Sequence, residues 1–349
     1  SSWTYGTDLS YLKELCAYWR EQFDWRDQED RLNQFDQFTT EIDGLNIHFI
    51  HQQSKEPNAL PLIITHGWPG SVYEFIRIIR RLTDPAAHGG DPRDAFHVVC
   101  PSMPGYGFSD APREPLFDIK RVGEVNAKLM AKLGYARYGG QGGDWGAPAS
   151  SWMALAAPDN VCGIHLNMAM ARPPKDKDPM EGLTMEEADR LRDARTFAKL
   201  ETGYQQIQST KPQTLGYGLN DSPAGLAAWI VEKFCTWSDC GRFVERRFTK
   251  DVLLTNITIY WVTQTITSSM RLYWESRYAG HFGPADSFVN TPSAFAIFPK
   301  ELTRLPRSWV EQYYNVRRWT EMPRGGHFAA LEEPGLLVDD IRAFFRELR

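Results

Sequence analysis

No window of 18 consecutive apolar residues occurs in this chain of 349 residues, so no stretch reads as a membrane-spanning helix. Basic runs are missing too. Short pairs such as Arg317-Arg318 are the most the chain offers, and its net charge is −5, which argues against a nucleic-acid-binding surface. Cysteine is scarce. The five residues (Cys16, Cys100, Cys162, Cys235 and Cys240) are odd in number and scattered, a pattern of reduced thiols in a cytosol-like compartment. Of these, Cys235 and Cys240 are near enough in sequence to meet in space. Repeats and low-complexity tracts are absent. So are His/Cys/Glu clusters with metal-ligand spacing, and any G-x-G-x-x-G opening a helix at the start of a βαβ unit. No metal and no cofactor is therefore expected. The chain opens on Ser1 rather than Met, which leaves room for a leader or anchor ahead of it; as it stands, a cytoplasmic location is expected.

What remains is ordinary for a globular protein, 42% apolar and 24% charged, except for one stretch. In Gly139-Gly140-Gln141-Gly142-Gly143-Asp144-Trp145-Gly146, small residues flank Asp144 at −2 and +2, the spacing of a nucleophile elbow. Such an elbow turns a strand sharply into a helix and holds one side chain on a strained tip. Its neighbours must be small because a Cβ there would strike adjoining backbone. Residues Ala147 to Ala157, rich in Ala, Leu, Met and Trp, supply the helix. The lifted group is a carboxylate. Attack by a carboxylate on an sp³ carbon leaves an alkyl ester on the enzyme, so the substrate should carry a strained or good leaving group. The bland alternative is a Gly-Asp surface turn, and the rest of the chain has to decide between them.

Elements around the elbow alternate. The first 35 residues predict an amphipathic helical arm, with Leu12, Leu15, Trp19 and Phe23 recurring at three- and four-residue steps, laid across a larger body. Phe38–Ile42 and Leu45–His51 alternate around Asp43-Gly44 and predict a hairpin. Strands follow at Leu62–Thr65, His97–Cys100, before the elbow, and at Val161–Asn167. An apolar-faced helix with Phe75, Ile78, Ile79 and Leu82 and another over Val122–Leu133 lie between them. The pair Gly139-Gly140 leaves the strand before the elbow weak, for no reason visible in the sequence. From Arg172 the character changes to roughly a hundred mostly helical residues, including a stripe of Leu226, Ile230, Phe234 and Trp237. Strands return at Ser293–Ile297 and Arg318–Glu321, and a helix begun by Pro334 closes the chain. The expected divisions are 1–55 for arm and hairpin, 56–172 and 285–349 for the core, and 173–284 for a helical lid. The fold class is α/β: a mostly parallel sheet, helices on both faces, and a lid over the strand ends where such proteins place their sites.

An elbow nucleophile needs partners, and α/β-hydrolases, which this arrangement resembles, supply them in the order nucleophile, acid, histidine. His327, in Arg324-Gly325-Gly326-His327-Phe328 between the last strand and last helix, stands where the base belongs. Glu301, after the strand ending near Phe298, is the preferred acid over Asp286 and Glu311. The N–H groups of Trp68, in His66-Gly67-Trp68-Pro69, and of Trp145 are placed to form the oxyanion hole. His66 reads as a brace for its loop rather than a proton carrier.

Six segments together resemble the microsomal epoxide hydrolases: Trp3-Thr4-Tyr5-Gly6-Thr7, Phe23-Asp24-Trp25-Arg26, His66-Gly67-Trp68-Pro69-Gly70, Pro104-Gly105-Tyr106-Gly107-Phe108-Ser109, Gly142-Gly143-Asp144-Trp145-Gly146 and Gly325-Gly326-His327-Phe328-Ala329-Ala330. The resemblance covers essentially the whole chain. It carries two departures: residues 1–349 do not include the membrane anchor of animal members, which leaves localisation open, and a glycine pair precedes the elbow. It implies Asp144 as nucleophile, Glu301 as orienting acid and His327 as base. It also implies two substrate-binding tyrosines at the epoxide oxygen, at the matching positions Tyr204 and Tyr273. The chemistry would be ring opening by Asp144 and hydrolysis of the ester by water that His327 activates, giving a vicinal diol. The partners expected are a small epoxide and water, with a second copy of the chain as a candidate. Aromatic residues Trp229, Phe234, Trp237, Tyr260 and Trp261 suggest an apolar pocket for lipophilic or aryl epoxides. The alternatives are a haloalkane or haloacid dehalogenase using the same aspartate, and a non-catalytic binding protein of the same fold.

Overall fold

Asp43 and Gly44 both take positive φ, 53° and 77°, as a two-residue type I′ hairpin turn requires. They join β1 (Gln37–Ile42) to β2 (Leu45–Gln52). The computed structural model describes residues 3–176, 178–283 and 287–349. Within these, β3 (Leu60–Thr65), β4 (Phe96–Pro101), β5 (Tyr138–Gly142), β6 (Val161–Leu166), β7 (Val289–Ile297) and β8 (Tyr314–Glu321) complete one sheet. Its order is β1-β2-β4-β3-β5-β6-β7-β8. The first two strands join it antiparallel; from β4 across to β8 every pair is parallel.

Alternate residues of the inner strands face opposite cores. Ile63 and Val99 join one cluster, with Val122 and Met153 from helices Ile119–Lys132 and Gly146–Ala156. Leu62, Ile64, Val98 and Cys100 join the other, with Ile79, Ile341 and Phe345 from helices Ile79–Thr83 and Pro334–Arg346. This two-sided burial explains why the inner strands read as continuous apolar runs. It also explains the glycine pair of β5. A Cβ on Gly139 would lie 2.6 Å from Cζ of Phe345, and one on Gly140 would lie 2.6 Å from Met153 Cε. Glycine here lets helices on both faces approach the strand that carries the elbow.

Two predicted helices differ from those observed. The stretch after the His66 loop is a 3₁₀ turn, Val72–Phe75, followed by the short helix Ile79–Thr83. Val72, Ile76, Ile78 and Ile79 are β-branched and disfavour an uninterrupted α-helix. The arm is two helices, Leu9–Glu21 and Trp25–Leu32, because Asp24 breaks it and caps the second by accepting from the N–H of Arg26 at 2.9 Å. The arm rests on the helices between β6 and β7. Thr7 donates to the Ala228 carbonyl at 2.7 Å, Tyr18 to Asp251 at 2.8 Å, and Lys250 pairs with Glu14 at 2.8 Å.

Between β6 and β7 the described residues form six α-helices, Met185–Leu200, Gly203–Gln208, Pro212–Asp221, Pro223–Thr236, Lys250–Thr263 and Ile266–Ala279. The expected boundary after residue 284 lies outside the described residues, as does Asp286. Among the described residues no helix is long and apolar enough to cross a membrane.

Candidate active site

Where β5 passes into helix Gly146–Ala156, Asp144 takes φ +47°. Left-handed backbone costs a non-glycine residue about 1–2 kcal/mol, which the surroundings must impose. They do so by crowding. A Cβ on Gly142 would lie 2.9 Å from the amide nitrogen of Ala147, and one on Gly146 would lie 2.7 Å from the carbonyl carbon of Thr65. Only glycine fits at both flanks of the tip.

The raised carboxylate is held at both oxygens. Oδ1 accepts from the Trp68 N–H at 2.7 Å, and Oδ2 lies 3.2 Å from Nε2 of His327. Nδ1 of His327 meets Oε1 of Glu301 at 2.6 Å, and that oxygen also accepts the N–H of Leu302 at 2.6 Å. Glu301 follows β7, His327 follows β8, and both side chains are buried. The rival Glu311 is instead an exposed partner of Arg307 at 2.7 Å. Burial alone would depress the His327 imidazole. The facing carboxylates of Glu301 and Asp144 outweigh it and hold its pKa well above the ordinary histidine value.

Tyr204 and Tyr273 come from different inserted helices, yet their rings stand 6.0 Å apart at 83°. The Tyr204 ring stacks on Trp68 at 5.4 Å, and that of Tyr273 meets Trp145 edge-on at 4.8 Å. Burial first, with the Asp144 charge adding to it, raises both phenols well above their ordinary values. Both are therefore neutral donors at physiological pH. Together with Asp144 they line a cavity of about 260 Å³, whose remaining wall includes Met168, Met170, Phe197, Phe282 and Leu302.

All seven residues expected at the site, Asp144, Glu301, His327, Tyr204, Tyr273, Trp145 and Trp68, thus fall in a single connected cluster, which Trp68 joins through both its backbone N–H and its ring. Trp145 directly precedes the elbow helix. His66 is buried and braces its loop: Nε2 accepts from the Met103 N–H at 3.2 Å and Nδ1 meets the Gly67 carbonyl at 3.1 Å. Burial lowers its pKa to about 4, so it stays neutral. The aromatic residues expected to line the pocket do not. Trp229, Phe234, Tyr260 and Trp261 lie outside its wall, and Trp237 packs behind it, 5.1 Å from the His327 ring and 5.0 Å from Tyr204. The Trp237 carbonyl also accepts the His327 backbone N–H at 3.0 Å. Met168 and Met170 follow the end of β6, so the rule that sites gather at strand ends could have found them.

If Glu301 orients the imidazole, Glu301→Gln slows hydrolysis of an enzyme ester by roughly 10²-fold while its formation changes far less. Separate rapid-quench rates for the two steps test this. Equal slowing of both, or a native ratio, would return Glu301 to a structural part.

A strained carboxylate elbow on a mostly parallel sheet, followed in order by an acid and a histidine, defines an α/β-hydrolase. Residues 61–334 match the family described as alpha/beta hydrolase fold, and residues 1–75 match that described as epoxide hydrolase N terminus. Epoxide hydrolase 1 of Sus scrofa is 43% identical over 99% of this chain and 81% of its own. The crystal structure of juvenile hormone epoxide hydrolase from the silkworm Bombyx mori superimposes with TM-score 0.92 at 36% identity, over 100% of this chain and 87% of that one. The epoxide hydrolase of Aspergillus niger gives TM-score 0.88 at 33% identity, over 99% and 87%. The chain belongs to the epoxide hydrolases of this fold, hydrolases acting on an ether bond. That membership leaves the dehalogenase and non-catalytic readings without support.

Proposed function

We propose that the protein opens lipophilic epoxides to vicinal diols through an ester on Asp144, with residues 173–284 acting as the lid that carries both phenols. The observation that supports this most directly is the placing of Asp144. One oxygen is fixed by the Trp68 N–H, the other faces His327, and the residue shares an apolar cavity with two neutral phenols. Oδ2 attacks a ring carbon, and Tyr204 and Tyr273 stabilise the oxygen that departs.

The proton count closes. At rest, the His327 imidazolium sits between two carboxylates. Alkylation cancels the Asp144 charge, which removes one of the influences that raised the imidazole. His327 can then release the proton that the new alkoxide requires and become a base. Water delivered to the ester carbonyl gives a second oxyanion, for which the N–H groups of Trp68 and Trp145 serve.

A single turnover in heavy-oxygen water tests the ester directly. Label should enter the Asp144 carboxylate, because water attacks the carbonyl carbon and the diol keeps an oxygen from the enzyme. Label found only in the diol would mean that water attacked the epoxide itself.

A further inference from the structure

A second, much smaller cavity adjoins the same catalytic pair. It measures about 20 Å³, and its wall includes Glu74, Asp144, His327, Trp68, Gln141 and Asn167. One water needs roughly 10–15 Å³ by this measure, so the space admits one water and excludes any epoxide. Glu74 reaches it from the 3₁₀ turn Val72–Phe75. Its carboxyl occupies the place of the side chain that Gly70 lacks, since a Cβ on Gly70 would overlap Oε1 of Glu74. The influences on this carboxyl are burial and the charges of His327 and Asp144, with no hydrogen bond among them. A half-buried carboxyl with no hydrogen bond among its influences, in a one-water cavity beside Asp144 and His327, is placed to take a ligand of water's size.

We propose that Glu74 holds the hydrolytic water: a carboxyl oxygen accepts one hydrogen of a water in this cavity, and the other hydrogen faces Nε2 of His327. The proposal rests on the Asp144 ester. In the step itself one water O–H bond breaks and its proton moves to Nε2. The water oxygen bonds to Cγ of the Asp144 ester, and the charge on Oδ1 stays against the Trp68 N–H. The bond from Cγ to the alkyl-bearing oxygen then breaks, and that oxygen takes the proton back from His327 as the diol leaves. Glu74 ends as it began. Accepting the water's hydrogen does not require Glu74 to be charged. Burial, aided by Asp144 and opposed by His327, pushes the carboxyl up to about 8, so it is largely neutral at pH 7. The titratable groups around the cavity are Glu74, Asp144, His327 and the neutral His66.

Two substitutions separate holding water from filling space. Glu74→Gln keeps an acceptor oxygen, whereas Glu74→Met keeps the size and removes the acceptor. Stopped-flow tryptophan fluorescence gives the rate of ester formation, which should be native in both and so also reports an intact fold. Ester hydrolysis should remain within about 3-fold of native for Glu74→Gln and fall roughly 10–100-fold for Glu74→Met, with the ester accumulating. Native hydrolysis in Glu74→Met, or equal slowing of both steps in both variants, overturns the proposal. Failure of the ester reading looks different. Native enzyme would then show no heavy oxygen in Asp144, whatever Glu74 does.

Discussion

Asp144→Ala should leave no measurable diol formation, a loss of at least ~10⁴-fold in turnover, with the circular dichroism spectrum unchanged. The expectation follows from what the substitution leaves standing. His327 keeps Glu301 at 2.6 Å, the two phenols keep their aromatic packing, and the cavities keep their walls. An enzyme that used His327 to deliver water straight to the epoxide would therefore retain much of its rate. An enzyme that must first form an ester has nothing to replace the carboxylate. Residual turnover within about 10²-fold of native would favour direct attack by water. The same variant changes the electrostatics in a readable way. With Asp144 gone, one of the two carboxylates that raise His327 is lost, so its imidazole should titrate lower than in the native protein by NMR.

Much of this site is legible in the sequence because backbone geometry restricts residue choice there. Asp144 stands out because its strained φ forces glycine at both flanks, and those glycines are visible without a structure. His327 and Glu301 follow from their order after the elbow and their positions after strands. Tyr204 and Tyr273 have no such local signature. They lie in separate helices, and resemblance to the family is what singles them out among the tyrosines. The wall of the larger cavity differs from the sequence expectation for a related reason. Its apolar residues come from Met168, Phe197, Phe282 and Leu302, four segments that only the folded chain assembles. Gly139 is explained by Phe345, some two hundred residues away, and Gly140 by Met153 of the following helix, contacts that only the folded chain brings against the strand. Glu74 was hidden most deeply. An unbroken helix would not have shown the 3₁₀ turn on which it sits, and nothing in the sequence relates its carboxyl to the empty side of Gly70.

Tyr204→Phe and Tyr273→Phe should each slow ester formation by the equivalent of about 2–4 kcal/mol, on the scale of losing one oxyanion donor, and the double change should remove nearly all of it. The phenols are buried, raised well above their ordinary pKa values, and therefore remain donors throughout the working pH range. A hydrogen bond from a neutral phenol to an epoxide oxygen strengthens as that oxygen becomes an alkoxide, so its loss falls on the transition state more than on binding. Either phenol alone should still support slow opening, because both line the cavity that contains Asp144 and their rings stand 6.0 Å apart. Packing offers a competing account. The Tyr204 ring stacks on Trp68 and leans on Trp237, and that of Tyr273 lies against Trp145. Phenylalanine preserves all of those ring contacts. If packing were their whole contribution, each change would shift stability by about 1 kcal/mol and leave ester formation untouched. The quench of tryptophan fluorescence on mixing with excess epoxide measures that step, since Trp68 and Trp145 adjoin the phenols. Native quench rates in the double variant would reduce both tyrosines to lid packing and leave the departing oxygen without a donor.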